Sequence, residues 1–116
     1  MLLKQALMVG LGGALGALIR WRLSLLNGHE GLPSGTLIAN LLGCLVLGLV
    51  LGFLRPGSLL FLFLAAGVCG ALTTFSTFAY ELVSAKTLGA SAWYALVSLF
   101  GGLAAVVTGL RLARLF

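Results

Sequence analysis

The chain has 116 residues, of which 61% are hydrophobic and 8% charged, and its mean hydropathy is +1.21. A soluble domain carries about 25% charged residues, so a water-solvated globule is excluded and a single polytopic membrane domain is expected. The net charge of +5 flanks the apolar runs, which favours lipid headgroups and anions over nucleic acid as partners.

A membrane span needs about 20 mainly apolar residues. The first runs over residues 3–23 and closes on Arg20, Trp21 and Arg22. It is long enough to cross and is not followed by a small-residue cleavage site at a polar boundary, so it reads as a transmembrane helix rather than a cleaved signal. Arg20 admits two readings: a cation snorkelling to the interface, or one held in an aqueous vestibule that attracts an anion. The run from Gly10 to Gly16 superficially looks like a nucleotide loop. It lies inside a span with no preceding strand, so it reads as helix packing.

A polar break follows, with Asn27, His29, Glu30 and Pro33. The second span covers residues 35–54 and stops at Arg55-Pro56-Gly57, a turn signal. Asn40 lies about six residues into it, with Thr36 one turn earlier on the same face. An Asn carboxamide has two donors and an acceptor. It either glues two helices together or belongs to a polar stripe.

The third span, residues 59–83, contains the run Thr73-Thr74-Phe75-Ser76-Thr77-Phe78. Gly67 and Gly70 precede it, and Thr, Ser and Phe are mediocre helix formers. A broken helix at membrane depth is expected here, and freed carbonyls must then meet water, protein or an ion. Phe75 and Phe78 share a face if helix resumes, and aromatic ring edges carry partial positive charge. Donors and ring edges in alternation suit an anion. Glu81 is the sole acid in a span. It is either interfacial or accepts hydrogen bonds from Thr77 and from Thr36 of a neighbouring helix.

The fourth span, residues 92–110, ends at Arg111 and Arg114. Four spans place both termini on one side. That side carries Lys4, Arg55, Arg111 and Arg114, and the other Arg20, Arg22 and Lys86. Orientation follows the Lys/Arg bias, and a difference of one residue leaves almost none. Insertion both ways round and antiparallel pairing of two copies are expected. Gly12/Gly16 and Gly48/Gly52 form GxxxG pairs that allow close helix approach. Cys44 and Cys69 fall inside apolar spans and read as small buried hydrophobes. With His29 the single histidine, neither a metal cluster nor a Ser–His nucleophile is expected, and no enzyme activity.

These motifs resemble the Fluc (CrcB-type) fluoride channels over essentially the whole chain. The resemblance rests on residues 12–20 ending at Arg20, on residues 35–43 around Asn40, and on residues 67–78 followed by Glu81. It implies an all-α protein of four transmembrane helices with a broken third helix, assembled as an antiparallel, dual-topology homodimer with two fluoride pores. It implies a structural sodium ion (Na+) on the two-fold axis, held by backbone carbonyls at positions matching Gly70 and Thr73. Asn40, Phe75, Phe78, Ser76 and Thr77 match the fluoride pore, Arg20 the vestibule, and Thr36 and Glu81 a polar track. In the fourth span Ser98 is the best match for a further hydroxyl of that track, ahead of Tyr94 and Thr108. The implied activity is passive export of cytoplasmic fluoride across a bacterial inner membrane, which relieves fluoride toxicity.

Two rival readings make different demands. A small multidrug transporter has four spans but requires a carboxylate in the first, and none is present. An accessory subunit without transport would use Phe75, Phe78 and Asn40 only for packing.

Overall fold

The computed structural model describes residues 1–28 and 33–116; His29 and Glu30 of the expected polar break lie outside the described residues. Every regular element of the described residues is a helix. Helix α1 spans Leu2–Ser24 and α2 spans Ser34–Phe53. The third crossing is assembled from four pieces: α3 (Leu59–Phe61), a π-helical segment (Leu62–Cys69), α4 (Gly70–Leu72) and α5 (Phe75–Ser84). Helix α6 spans Leu88–Ala113. The stretches Leu2–Ser24, Ser34–Phe53, Leu59–Ser84 and Leu88–Ala113 are each long and apolar enough to cross a membrane.

The fourth crossing begins four residues earlier than its hydropathy suggests. Thr87 caps it, its Oγ1 accepting from the Ala90 N–H at 3.0 Å. Such a cap satisfies a donor that the first turn leaves open. The cap therefore sets the start of the helix, and of the break expected from Ser84, Lys86 and Gly89, Gly89 is wound into its first turn.

Two close helix contacts organise the bundle, and glycine makes both possible. Helix α1 lies on the π-helical segment: a Cβ on Gly12 would overlap the carbonyl oxygen of Phe63, and one on Gly16 that of Val68. Helix α2 lies on α6 in the same manner, with Gly48 against the Val106 carbonyl and Gly109 against that of Leu45. In lipid, helices associate by backbone proximity and dispersion rather than by hydrophobic exclusion. Gly12, Gly16 and Gly48 thus serve packing within one chain. Gly10 and Gly13 face open space.

The bundle is a slab of 49 × 31 × 18 Å, about two helix diameters thick. Leu7, Leu11, Leu18, Trp93, Leu103 and many other apolar side chains point outward. An apolar exterior of this extent fits a lipid solvent.

Candidate functional site

The third crossing loses its helical winding at two residues. Thr73 (φ −80°, ψ 148°) and Thr74 (φ −146°, ψ 121°) are extended. Regular winding would aim the N–H of Thr74 at the Gly70 carbonyl and that of Thr77 at the Thr73 carbonyl. Both N–H groups are used elsewhere. The Thr74 N–H donates to Asn40 Oδ1 at 2.7 Å, and the Thr77 N–H donates to Thr74 Oγ1 at 3.3 Å. Thr74 is thereby the N-cap of α5, a position that favours Thr.

Two side chains from other helices complete the interruption. Asn40 of α2 donates from Nδ2 to the Thr74 carbonyl at 3.3 Å, so its carboxamide meets both polar groups of one peptide residue. Arg20 of α1 donates from Nε to the Ala71 carbonyl at 2.8 Å. That carbonyl would otherwise await the N–H of Phe75. This contact brings the Arg20 side chain beside the interruption. Gly43 lets α2 come this close, since a Cβ there would overlap the Thr73 methyl group.

Beyond the interruption, aromatic rings lead toward the acid. The Phe75 and Phe78 centroids lie 5.9 Å apart, tilted by 53°, and Phe78 meets Tyr94 edge-on at 5.2 Å and 61°. The Tyr94 hydroxyl then donates to Glu81 Oε2 at 2.7 Å. Glu81 Oε1 accepts from Thr36 Oγ1 at 2.6 Å and from Asn27 Nδ2 at 3.3 Å. Thr36 and Tyr94 are buried, at 3% and 2% exposure. Because they are out of water, their hydroxyls need these partners.

Asn40, Thr73, Phe75, Phe78 and Ser98 line one open cleft of about 430 Å³. Its walls combine amide and hydroxyl groups with aromatic rings. The Ser98 Oγ is buried and meets no hydrogen-bond partner among the described residues. Phe75 is 79% exposed on this face.

Most of the expected residues converge, with four differences. Thr77 does not pair with Glu81 among the described hydrogen bonds; its Oγ1 accepts from Thr74 Oγ1 at 3.2 Å, because the cap geometry turns it toward the start of α5. Ser76 likewise turns to Thr74 Oγ1, at 3.3 Å. Thr108 is spent on its own helix, donating to the Ala104 carbonyl at 2.7 Å. Tyr94, ranked below Ser98 from sequence, proves to be the fourth-helix partner of Glu81. The sequence reading missed Asn27 entirely. It sits outside every span, and only the fold brings it to Thr36 and Glu81.

The CrcB family profile, described as CrcB-like protein, Camphor Resistance (CrcB), matches residues 7–110. The chain belongs to the CrcB-like family. Relatives named fluoride-specific ion channel FluC include one from Clostridium perfringens, 47% identical over 94 residues that cover 75% of this chain and 73% of that protein. One from Bordetella avium is 45% identical over 116 residues, covering 94% and 92%. One from Methanococcus maripaludis is 40% identical over 121 residues, covering 98% of each. The matched region of this CrcB-like chain contains Arg20, Asn40, the Thr73–Thr74 interruption, Phe75, Phe78, Glu81 and Tyr94.

Proposed function

We propose that this CrcB-like chain is a passive, fluoride-selective channel that carries fluoride out of the cytoplasm across a bacterial inner membrane. The reading is carried by the cleft that Asn40 lines together with Phe75 and Phe78. Fluoride is small and strongly hydrated, so a pore must replace its water with donors at close range. Amide and hydroxyl donors can do so, and the partly positive ring edges continue the path where no donor is available. The relatives named as fluoride channels support the choice of ion.

Arg20 stands beside the interruption and attracts the anion toward it. Asn40 is held rigidly by Thr74, so its amide needs little reorganisation to meet an ion. Phe75 and Phe78 follow, and Ser98, whose hydroxyl has no hydrogen-bond partner among the described residues, lines the same cleft. Thr36, Thr77, Ser76 and Glu81 form the polar flank. Uncharged hydrogen fluoride entering from acid surroundings ionises in the cytoplasm, and the path returns it as fluoride. The channel carries out no covalent chemistry.

The assembly that fits is an antiparallel, dual-topology homodimer with one pore on each side of a two-fold axis. The near balance of Lys and Arg across the membrane supports insertion in both orientations. The broken third helix would meet its partner copy at the open face of the cleft. The carbonyls of Gly70 and Thr73 suit a structural sodium ion there, because the N–H groups that winding would give them are held by Asn40 and Thr74. Hard oxygen donors match a hard cation. When bound, the ion supplies a fixed positive charge between the two copies.

Efflux of fluoride from liposomes containing only this protein tests the reading. Passive release of fluoride without chloride is the expected result. Silence from a well-folded dimer would favour an accessory subunit.

A further inference from the structure

Asn27 lies just past α1, where its backbone N–H reaches the Ser24 carbonyl at 3.0 Å. Its side chain uses every hydrogen-bonding capacity it has. Oδ1 accepts from the N–H groups of Gly35 at 2.7 Å and Thr36 at 3.3 Å. Nδ2 donates to Thr36 Oγ1 at 3.1 Å and to Glu81 Oε1 at 3.3 Å. Gly35 permits this approach, because a Cβ there would overlap the Leu23 carbonyl.

The two backbone donors fix which way the amide faces, since only an acceptor can meet them. The NH₂ group must therefore point at Thr36 and Glu81. Because Thr36 Oγ1 already accepts from Asn27, its own hydrogen is free for Glu81, at 2.6 Å. Asn27 thus sets the direction of a chain of donors that ends on the carboxylate. With Tyr94 on the other oxygen, Glu81 receives three donors.

Three donors hold a carboxylate in one orientation and offset part of its charge, which sets how strongly it acts on an anion nearby. We propose that Asn27 is a positioning residue of this path: it aims the Thr36 hydroxyl and holds the Glu81 carboxylate in one orientation. The proposal rests on the channel reading given above. It differs from simple capping of α2, which needs only Oδ1.

Asn27→Asp separates the two roles. It retains the acceptor for Gly35 and Thr36, and Asp is as good a cap as Asn, but it removes both donors. The expected result is folded protein that melts at a lower temperature, as a lost donor to Glu81 requires, with fluoride efflux from liposomes lowered at least tenfold. Asn27→Ser serves the same purpose without a second charge near Glu81, should the Asp variant fail to fold. In Asn27→Ser the infrared carboxylate band of Glu81, identified by its loss in Glu81→Gln, should shift. A capping role alone would leave that band in place. Efflux at the wild-type rate from folded variants, or an unmoved band, overturns the positioning role and leaves the channel standing. A wild type silent to fluoride overturns both.

Discussion

Asn40 and Thr74 form a two-point pair: one carboxamide on α2 meets the N–H at 2.7 Å and the C=O at 3.3 Å of a single residue between α4 and α5. The pair does what a neighbouring strand would do for an extended residue. It lets Thr73 and Thr74 leave helical winding at membrane depth without stranding Thr74.

Asn40→Ala should therefore damage fold and transport together. It leaves two part-buried peptide groups without partners, a loss of about 1–3 kcal/mol for each unsatisfied group. Asn40→Asp retains the N–H contact and sets an oxygen against the Thr74 carbonyl. Both variants should melt at lower temperature, and both should conduct little fluoride in liposomes.

Phe75→Ala and Phe78→Ala should separate stability from flux. Phe75 is mostly exposed on its own chain, whereas Phe78 stands between Phe75 and Tyr94. Phe75→Ala loses one ring pair, Phe78→Ala two, so Phe75→Ala should lower the melting temperature less. Phe78→Ala should lower it more, since each aromatic pair is worth about 0.5–1.5 kcal/mol beyond its buried area. Each should reduce fluoride efflux. Normal conduction by both would remove them from the path.

Tyr94→Phe tests the fourth-helix end of the network. It retains the ring edge against Phe78 and removes only the donor to Glu81 Oε2. A hydrogen bond to a charged group is worth about 1.5–3 kcal/mol. The variant should fold with lower thermal stability and carry less fluoride, measured by melting in detergent and by efflux. Ser98→Ala removes a hydroxyl of a residue that lines the cleft and should reduce efflux with little loss of stability, because that hydroxyl meets no hydrogen-bond partner among the described residues.

Gly16→Val and Gly13→Val, on the same helix, should behave oppositely. A Cβ at position 16 meets the Val68 backbone, whereas position 13 is open. Backbone cannot yield as a flexible side chain can. The position 16 variant should fail to yield folded protein on size-exclusion chromatography, and the position 13 variant should elute as wild type.

Sequence alone determined the membrane class and the four crossings, because hydropathy over a span length depends only on composition along the chain. It also pointed to the run from Thr73 to Phe78 as weak helix, since glycines precede it and Thr, Ser and Phe are mediocre helix formers; only Thr73 and Thr74 are extended, and winding resumes at Phe75. It did not foresee the early start of α6, which depends on one cap at Thr87. Which side chains satisfy the freed backbone was a matter of tertiary structure. Arg20 is 51 positions from Ala71, and Asn40 is 34 from Thr74. Nothing in their spacing states that they meet. The same holds for Asn27, a loop residue by every local signal, which the fold places on Thr36 and Glu81. Hydroxyls such as Thr77, Thr108 and Ser98 look alike in sequence. Helix rotation and neighbouring backbone decide that the first two are spent locally and the third meets no partner among the described residues.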